Sequence, residues 1–412
     1  MIRRVLSFKN SAALWAVFPF FMLGGCSDAN SVDSAKPSLP VAETWDWSAY
    51  LPMGFPEPFV PADNPMSEAK FQLGRHLFYD KRLSGNGTQA CASCHFQHLA
   101  FSDGRSKAVG STGELTARSA QSLVNVAYYA SLTWANPALS SLERQAMVPL
   151  FVEDVGVEMG VNENNKTQVL ARLQEDAYYV QAFPSVFPDY PQAINFDTVV
   201  KALAAFQRGL LSVNSKFDRV ERGEELFSPT EQRGKQLFYG KAQCVQCHSG
   251  FHFSNHSFNA NSHRVKRSYH NTGLYNLDGQ GAYPEHQQGL IEVMPQKSNM
   301  GKFRVPTLRN IALTAPYMHD GSVATLEEVI AHYTAGGREI SAGKLAGDGR
   351  ENPFKDPLLN RIDLTAAEQQ DLLAFLHTLT DPTIATNARF SNPFQTETTH
   401  LDFTSSKADF YE

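Results

Sequence analysis

Apolar residues recur at helical spacing in two widely separated stretches of the chain. Val199, Val200, Leu203, Phe206, Leu210 and Leu211 fall on one face of a helix that Asp197 is placed to cap. Leu372, Leu373, Phe375, Leu376 and Leu379 do the same behind Thr365-Ala-Ala-Glu368, a capping box in which Thr and Glu side chains satisfy each other's backbone N–H groups. Two further helix starts, Ser67-Glu68 and Ser228-Pro229-Thr230-Glu231, lead into strings that resemble each other. The first reads Gly74-Arg-His-Leu77-Phe78-Tyr79-Asp-Lys81, the second Gly234-Lys-Gln-Leu237-Phe238-Tyr239-Gly-Lys241. This repetition predicts a mainly α chain of two tandem helical units, each opened and closed by one such helix and divided near Gly223. Gly- and Pro-rich stretches such as His256 to Pro295 read as long loops.

The N-terminus breaks this pattern. Arg3, Arg4 and Lys9 precede an apolar run from Ser11 to Leu23, followed by Gly24, Gly25 and Cys26. The run is shorter than the ~20 residues a membrane-spanning helix needs, and it has the layout of an export signal. The string Leu23-Gly24-Gly25-Cys26 resembles a lipoprotein signal, with Cys26 as the lipid-anchored first residue. The expectation is a periplasmic protein tethered to the membrane. A Ser-, Ala-, Asp- and Pro-rich linker covers 27–46. The helical domains are then expected over 47–222 and 223–384, with an extended tail over 385–412.

Composition adds little to this and excludes some partners. Of 412 residues, 42% are hydrophobic and 19% charged, with a net charge of -6. That balance gives no electrostatic basis for nucleic-acid binding or for holding an anionic membrane surface.

Cysteine changes the picture. There are five, and the four beyond Cys26 all fall within Cys91-Ala-Ser-Cys94-His95 and Cys244-Val-Gln-Cys247-His248. In such a string two thiols add across the vinyl groups of one haem, and the adjacent His lies under the iron. A thioredoxin-like pair needs a strand-to-helix setting and no His. A zinc site made from both Cys-x-x-Cys pairs leaves both His residues unexplained. Two covalently bound c-type haems are expected, with Cys91, Cys94, Cys244 and Cys247 as attachment points and His95 and His248 as iron ligands. The two units are then cytochrome c-like domains with long loops over their haems.

Further strings lie between and beyond the haem motifs: Ala100-Phe-Ser-Asp103-Gly-Arg105, Arg118-Ser-Ala-Gln-Ser122-Leu-Val-Asn125, Phe303-Arg-Val-Pro306-Thr-Leu-Arg-Asn310 and Ala315-Pro-Tyr317-Met-His319-Asp-Gly321. With these, the chain resembles the bacterial dihaem cytochrome c peroxidase and MauG family over roughly Pro56 to Pro382, and within it the MbnH-like dihaem enzymes. The resemblance implies hydrogen peroxide as oxidant, reacting at the first haem. In the peroxidases a His downstream of the first motif can close that iron, but Ser106 to Glu114 holds none, and His98 lies only three residues beyond His95. The first haem is therefore expected to be five-coordinate. By resemblance Gln145, Pro149 and Glu158 line its pocket, with Glu158 as acid/base and Gln145 orienting the oxidant. The loop before Glu158 is longer than usual, so Glu153 or Asp154 is an alternative. Trp134 matches the tryptophan between the two haems.

For the second haem the resemblance points to Tyr333 as sixth ligand, where the peroxidases have Met and MauG a tyrosine. Met318 and Met300 are the competing candidates. A phenolate favours the higher oxidation states of iron and a thioether the ferrous state. A calcium ion between the haems is a further implication, near Arg304 and Pro306, although Ser119 stands where an Asn ligand is expected. His270 is a candidate contact of a haem propionate, while His252, His256, His263 and His286 read as exposed. The expected function is a peroxidase that oxidises a partner protein through the second haem. The alternatives are a conventional peroxidase fed by a small cytochrome, and a non-enzymatic dihaem electron carrier.

Overall fold

The structure, a computed structural model, describes residues 45–151 and 158–395. The leader with Cys26, the linker up to residue 44, Glu153 and Asp154, and the tail beyond 395 lie outside the described residues. Among the described residues no helix is long and apolar enough to cross a membrane.

The helices are α1 (Glu68–Tyr79), α2 (Leu142–Leu150), α3 (Lys166–Gln174), α4 (Ala177–Val186), α5 (Phe196–Arg208), α6 (Lys216–Glu221), α7 (Pro229–Tyr239), α8 (Leu326–Ala335) and α9 (Ala366–His377). The start signals act as read: Ser67 accepts from the Lys70 N–H, and Ser228 with Glu231 and Thr365 with Glu368 form reciprocal capping boxes. Asp197 is not the cap of α5. The Asn195 side chain accepts from the Thr198 N–H while the Thr198 hydroxyl takes the Asn195 N–H, so the helix begins earlier and Asp197 sits in its first turn. Two short antiparallel ribbons complete the regular structure. In one, β1 (Tyr269–Asn271) pairs with β2 (Lys302–Arg304), placing Tyr269 opposite Arg304. In the other, β3 (Glu339–Ile340) pairs with β4 (Gly347–Asp348). Apart from β1 and a 3-10 turn at Leu290–Glu292, the His256–Pro295 stretch is turns and irregular chain.

The repeated sequence strings become repeated packing. α1 lies against α5 and α7 against α9. Both contacts close over a glycine. A Cβ on Gly74 would stand 1.9 Å from the Ala202 carbonyl oxygen, and one on Gly234 1.9 Å from that of Asp371. Around these crossings Phe71, Phe78 and Phe206 in one half, and Phe238, Phe253 and Phe375 in the other, are wholly or almost wholly buried. Each such ring stabilises the fold by about 1.5–3 kcal/mol. Gly234→Ala should cost about 1–3 kcal/mol, because the methyl meets backbone rather than a movable side chain and the clash outweighs alanine's better helix propensity. A lowered thermal midpoint of the haem-loaded protein is the expected reading; an unchanged midpoint would mean the helices slide apart at no cost.

The chain after α9 returns to the first half. Ile384 and Phe390 join its core, Arg389 pairs with Glu68 at 2.6 Å, and Gln97 donates to the carbonyls of Ile384 and Asn387.

Candidate functional site

Each haem motif is one tight turn behind an opening helix. Cys91–Ser93 and Cys244–Gln246 are single 3-10 turns, and the four thiols are free. His95 Nδ1 is 2.7 Å from the Phe101 carbonyl oxygen, and His248 Nδ1 is 3.1 Å from that of Phe253. A carbonyl only accepts, so each Nδ1 carries the hydrogen and each Nε2 keeps its lone pair for a metal. Phe101 and Phe253 reach these positions with φ of 61° and 50°, a left-handed turn that aims the carbonyl back at the ring. Burial pushes the His248 imidazole down to about 4, so it stays neutral at ordinary pH.

His95 opens on a cavity of about 160 Å³ that Cys91, Cys94, Gln145, Pro149 and Glu158 also line. Gln145 and Pro149 stand one turn apart on α2, whose start is capped by Ser141 accepting from the Arg144 N–H. The Met159 N–H donates to the Pro149 carbonyl and the Ser111 N–H to that of Glu158, both at 2.9 Å. These bonds hold the Glu158 segment against α2. Burial raises the Glu158 carboxyl above its ordinary value. His95 is the only histidine lining this cavity among the described residues; His98 stacks on Phe96 at 5.8 Å instead.

His248 opens on a larger cavity of about 270 Å³, lined also by Cys244, Cys247, Trp134, Met318 and Tyr333. Tyr333 is carried by α8 and is half-buried, and its phenol is held well above its ordinary value by desolvation first and by the nearby Cys247 and Cys244 thiols. Met318 is in the left-handed region at φ 70°. Met300 is not among the lining residues. Trp134 lines this cavity and not the first, and its carbonyl accepts from the Arg304 N–H at 2.9 Å.

Of the wall between the two cavities, the resemblance places only Ser119 and Arg304 between the haems. Ser119, Ala120, Gln121, Ser122 and Arg304 line both. Ala120, Gln121 and Ser122 are not singled out in the sequence, although the 118–125 string that carries them is. The residues named for the expected calcium, Arg304 and Ser119, are on this wall; no group of three or more His, Cys, Asp or Glu placed to hold a metal ion is found among the described residues. Two histidines depart from the sequence reading. His252 and His256 are buried, because Tyr128 and Tyr129 cover the first while Ser131 Oγ holds the second at 2.8 Å. His263 and His286 are exposed as read. His270 lines the second cavity with its Nδ1 2.6 Å from Asp356 Oδ2.

Both sites fit a haem. A water needs only about 10–15 Å³, so each cavity takes a far larger group, with two thiols and an imidazole at its edge. Four buried nitrogens lining the larger one have no hydrogen-bond partner among the described residues: Trp134 Nε1, His270 Nε2, Arg304 Nη1 and His319 Nε2. Such atoms are rare in folded proteins and costly, and four around one cavity mark the seat of a bound group with polar edges.

Known proteins share this organisation. A family model described as di-haem cytochrome c peroxidase matches residues 68–226. Cytochrome-c peroxidase IdrP1 of Denitromonas iodatirespirans is 35% identical over 367 residues, covering 84% of this chain and 91% of the relative. Methylamine utilization protein MauG of Methylophilus methylotrophus is 34% identical over 351 residues, covering 83% and 92%. The crystal structure of a MauG-like protein associated with microbial copper homeostasis superposes with a TM-score of 0.83 at 51% identity, covering 85% of this chain and 100% of that one.

Proposed function

The chain belongs to the di-haem cytochrome c peroxidase and MauG family of haem-dependent oxidoreductases with two c-type haems, and from that premise we propose a peroxide-driven oxidation of a partner protein. The haem held by Cys91, Cys94 and His95 would supply the chemistry with hydrogen peroxide, and the one held by Cys244, Cys247 and His248 would pass the oxidising equivalents on. A c-type haem with an open iron position supplies the two-electron reduction of peroxide. The observation that carries this reading is the inequality of the two cavities. One offers His95 with a buried carboxyl and an amide, the other His248 with a phenol.

In the first cavity Glu158 takes the proton from one peroxide oxygen and returns it to the other, a transfer its raised carboxyl suits. Gln145 orients the peroxide by hydrogen bonding, and Pro149 shapes the wall beside it. In the second, Tyr333 would hold the haem iron through its oxygen, a hard donor that would favour the oxidised state. Trp134 shortens the electron path between the sites. The export signal and Cys26 support a periplasmic protein on a lipid anchor. The 51% identity to a MauG-like protein associated with microbial copper homeostasis supports a partner in that setting.

The resting haem-loaded protein should show one high-spin and one low-spin haem by electron paramagnetic resonance. One equivalent of peroxide should then change the optical spectra of both haems with no reduced cytochrome present. Two low-spin haems that ignore peroxide would sink the proposal. Sustained peroxide-dependent oxidation of a small cytochrome, with no lasting change at the haems, would favour the conventional peroxidase instead.

A further inference from the structure

We propose that Arg304, at the junction of the two cavities, receives a haem propionate through its Nη1 and is the positive charge that seats this carboxylate. This rests on the two-haem reading and not on the peroxide chemistry.

Arg304 is only 4% exposed. Its Nε donates to the Thr133 carbonyl at 3.0 Å and its Nη2 to Gln121 Oε1. Its guanidinium lies 3.7 Å from the Tyr129 ring centre and 5.6 Å from that of Trp134. Strand pairing with β1 and the Arg304 N–H bond to the Trp134 carbonyl fix the backbone beneath it. Nη1 is buried and has no hydrogen-bond partner among the described residues.

The contrast with other buried arginines is decisive. Arg309 meets both oxygens of Asp218 at 2.9 Å, and Arg208 meets Glu143 at 2.8 Å. Among the described residues no Asp or Glu pairs with Arg304. A buried charge without a counter-charge costs several kcal/mol, and the neighbouring histidines add none. His252 and His256 are held neutral chiefly by burial, with the Arg304 cation pushing in the same direction. Among the described residues the polypeptide supplies no such anion. A haem carries propionate carboxylates, and a guanidinium is the group shaped to take one. Because Arg304 lines both cavities, either haem is a source, and the test separates them.

The test uses haem-loaded Arg304→Met, which removes the charge at similar bulk, and Arg304→Lys, which keeps it. Haem content per chain is measured first, then both midpoint potentials, with the high-spin and low-spin signals telling the haems apart. Loss of a nearby cation favours ferric iron. The haem whose propionate is held should therefore shift its reduction equilibrium at least tenfold toward the ferric form in Arg304→Met, about 59 mV on a one-electron couple. Arg304→Lys should retain most of the wild-type value. A shift in the high-spin haem assigns the carboxylate to the Cys91–Cys94 haem, and one in the low-spin haem to the Cys244–Cys247 haem. Unchanged potentials in Arg304→Met, with both haems present, overturn the proposal. Should that variant fail to take up haem, the propionate-bending band of the resonance Raman spectrum decides: it should move between wild type and Arg304→Lys, and an unmoved band overturns the proposal equally. Wild-type protein with fewer than two haems per chain would instead overturn the two-haem reading, a separate failure.

Discussion

Glu158→Gln should slow the reaction with hydrogen peroxide by about 10²–10⁴-fold, the usual worth of a positioned general acid/base, and leave both haems attached. The substitution keeps the size of the side chain and the backbone bonds that hold the segment, namely Ser111 N–H to the Glu158 carbonyl and Met159 N–H to the Pro149 carbonyl. Only the ability to take up and return a proton is lost. The pH dependence adds a sharper test. Burial raises the Glu158 carboxyl, so its basic form disappears at a higher pH than for an exposed carboxyl. The wild-type rate should fall on the acid side with an inflection at higher pH than an exposed glutamate gives, and the Gln variant should lack that inflection. Stopped-flow traces across pH, taken with an optical spectrum confirming both haems, decide the matter. A Gln variant as fast as wild type would place the proton transfer elsewhere, and Glu153 and Asp154 would be the next positions to change.

What the sequence made legible was whatever is encoded locally. Ser228 with Glu231 and Thr365 with Glu368 are contiguous capping boxes, and both form. Asp197 misled because Asn195, two residues earlier, has the better geometry for the same task, and a propensity reading does not rank them. The haem strings are also local: five residues carry two thiols and a ligand. The repeat itself was visible, and its physical basis is the glycine in each copy that lets α1 and α7 touch the carbonyls of α5 and α9. Long-range placement was not visible. Nothing within the 118–125 or 303–310 strings says that Gln121 and Arg304 meet, since the bond between them joins residues 183 apart in sequence. The burial of His252 and His256 likewise depends on Tyr128, Tyr129 and Ser131, more than a hundred residues away. The return of the chain after α9 onto α1, through Arg389 and Glu68, leaves no periodic signal because that segment is turns rather than helix.

Tyr333→Met should raise the midpoint potential of the His248 haem by a large share of the roughly 0.8 V over which axial ligands tune haem iron. The direction follows from ligand hardness. A phenolate oxygen favours the ferric state and a thioether the ferrous state. The position is suited to the exchange: α8 is held at its start by the Thr325 and Glu328 capping box, and Tyr333 lines the His248 cavity from within that helix. Tyr333→Phe is the control, removing one oxygen while keeping the ring that fills the site. It should leave the haem in place and abolish the low-spin signal of a tyrosine-ligated iron. The consequence for function is asymmetric. With Met the second haem accepts electrons readily from a small cytochrome and no longer holds an oxidising equivalent well, so the protein should gain conventional peroxidase turnover and lose oxidation of its partner. Spectroelectrochemistry of the haem-loaded variants measures the first effect, and peroxide turnover with a reduced cytochrome the second. If both Tyr333 variants keep the wild-type potential and low-spin signal, the ligand is not the phenol. Met318, the other candidate lining the same cavity, is then the residue whose change to Leu must move both. The reading of this chain as a MauG-like oxidant rather than an electron-fed peroxidase turns on that one oxygen.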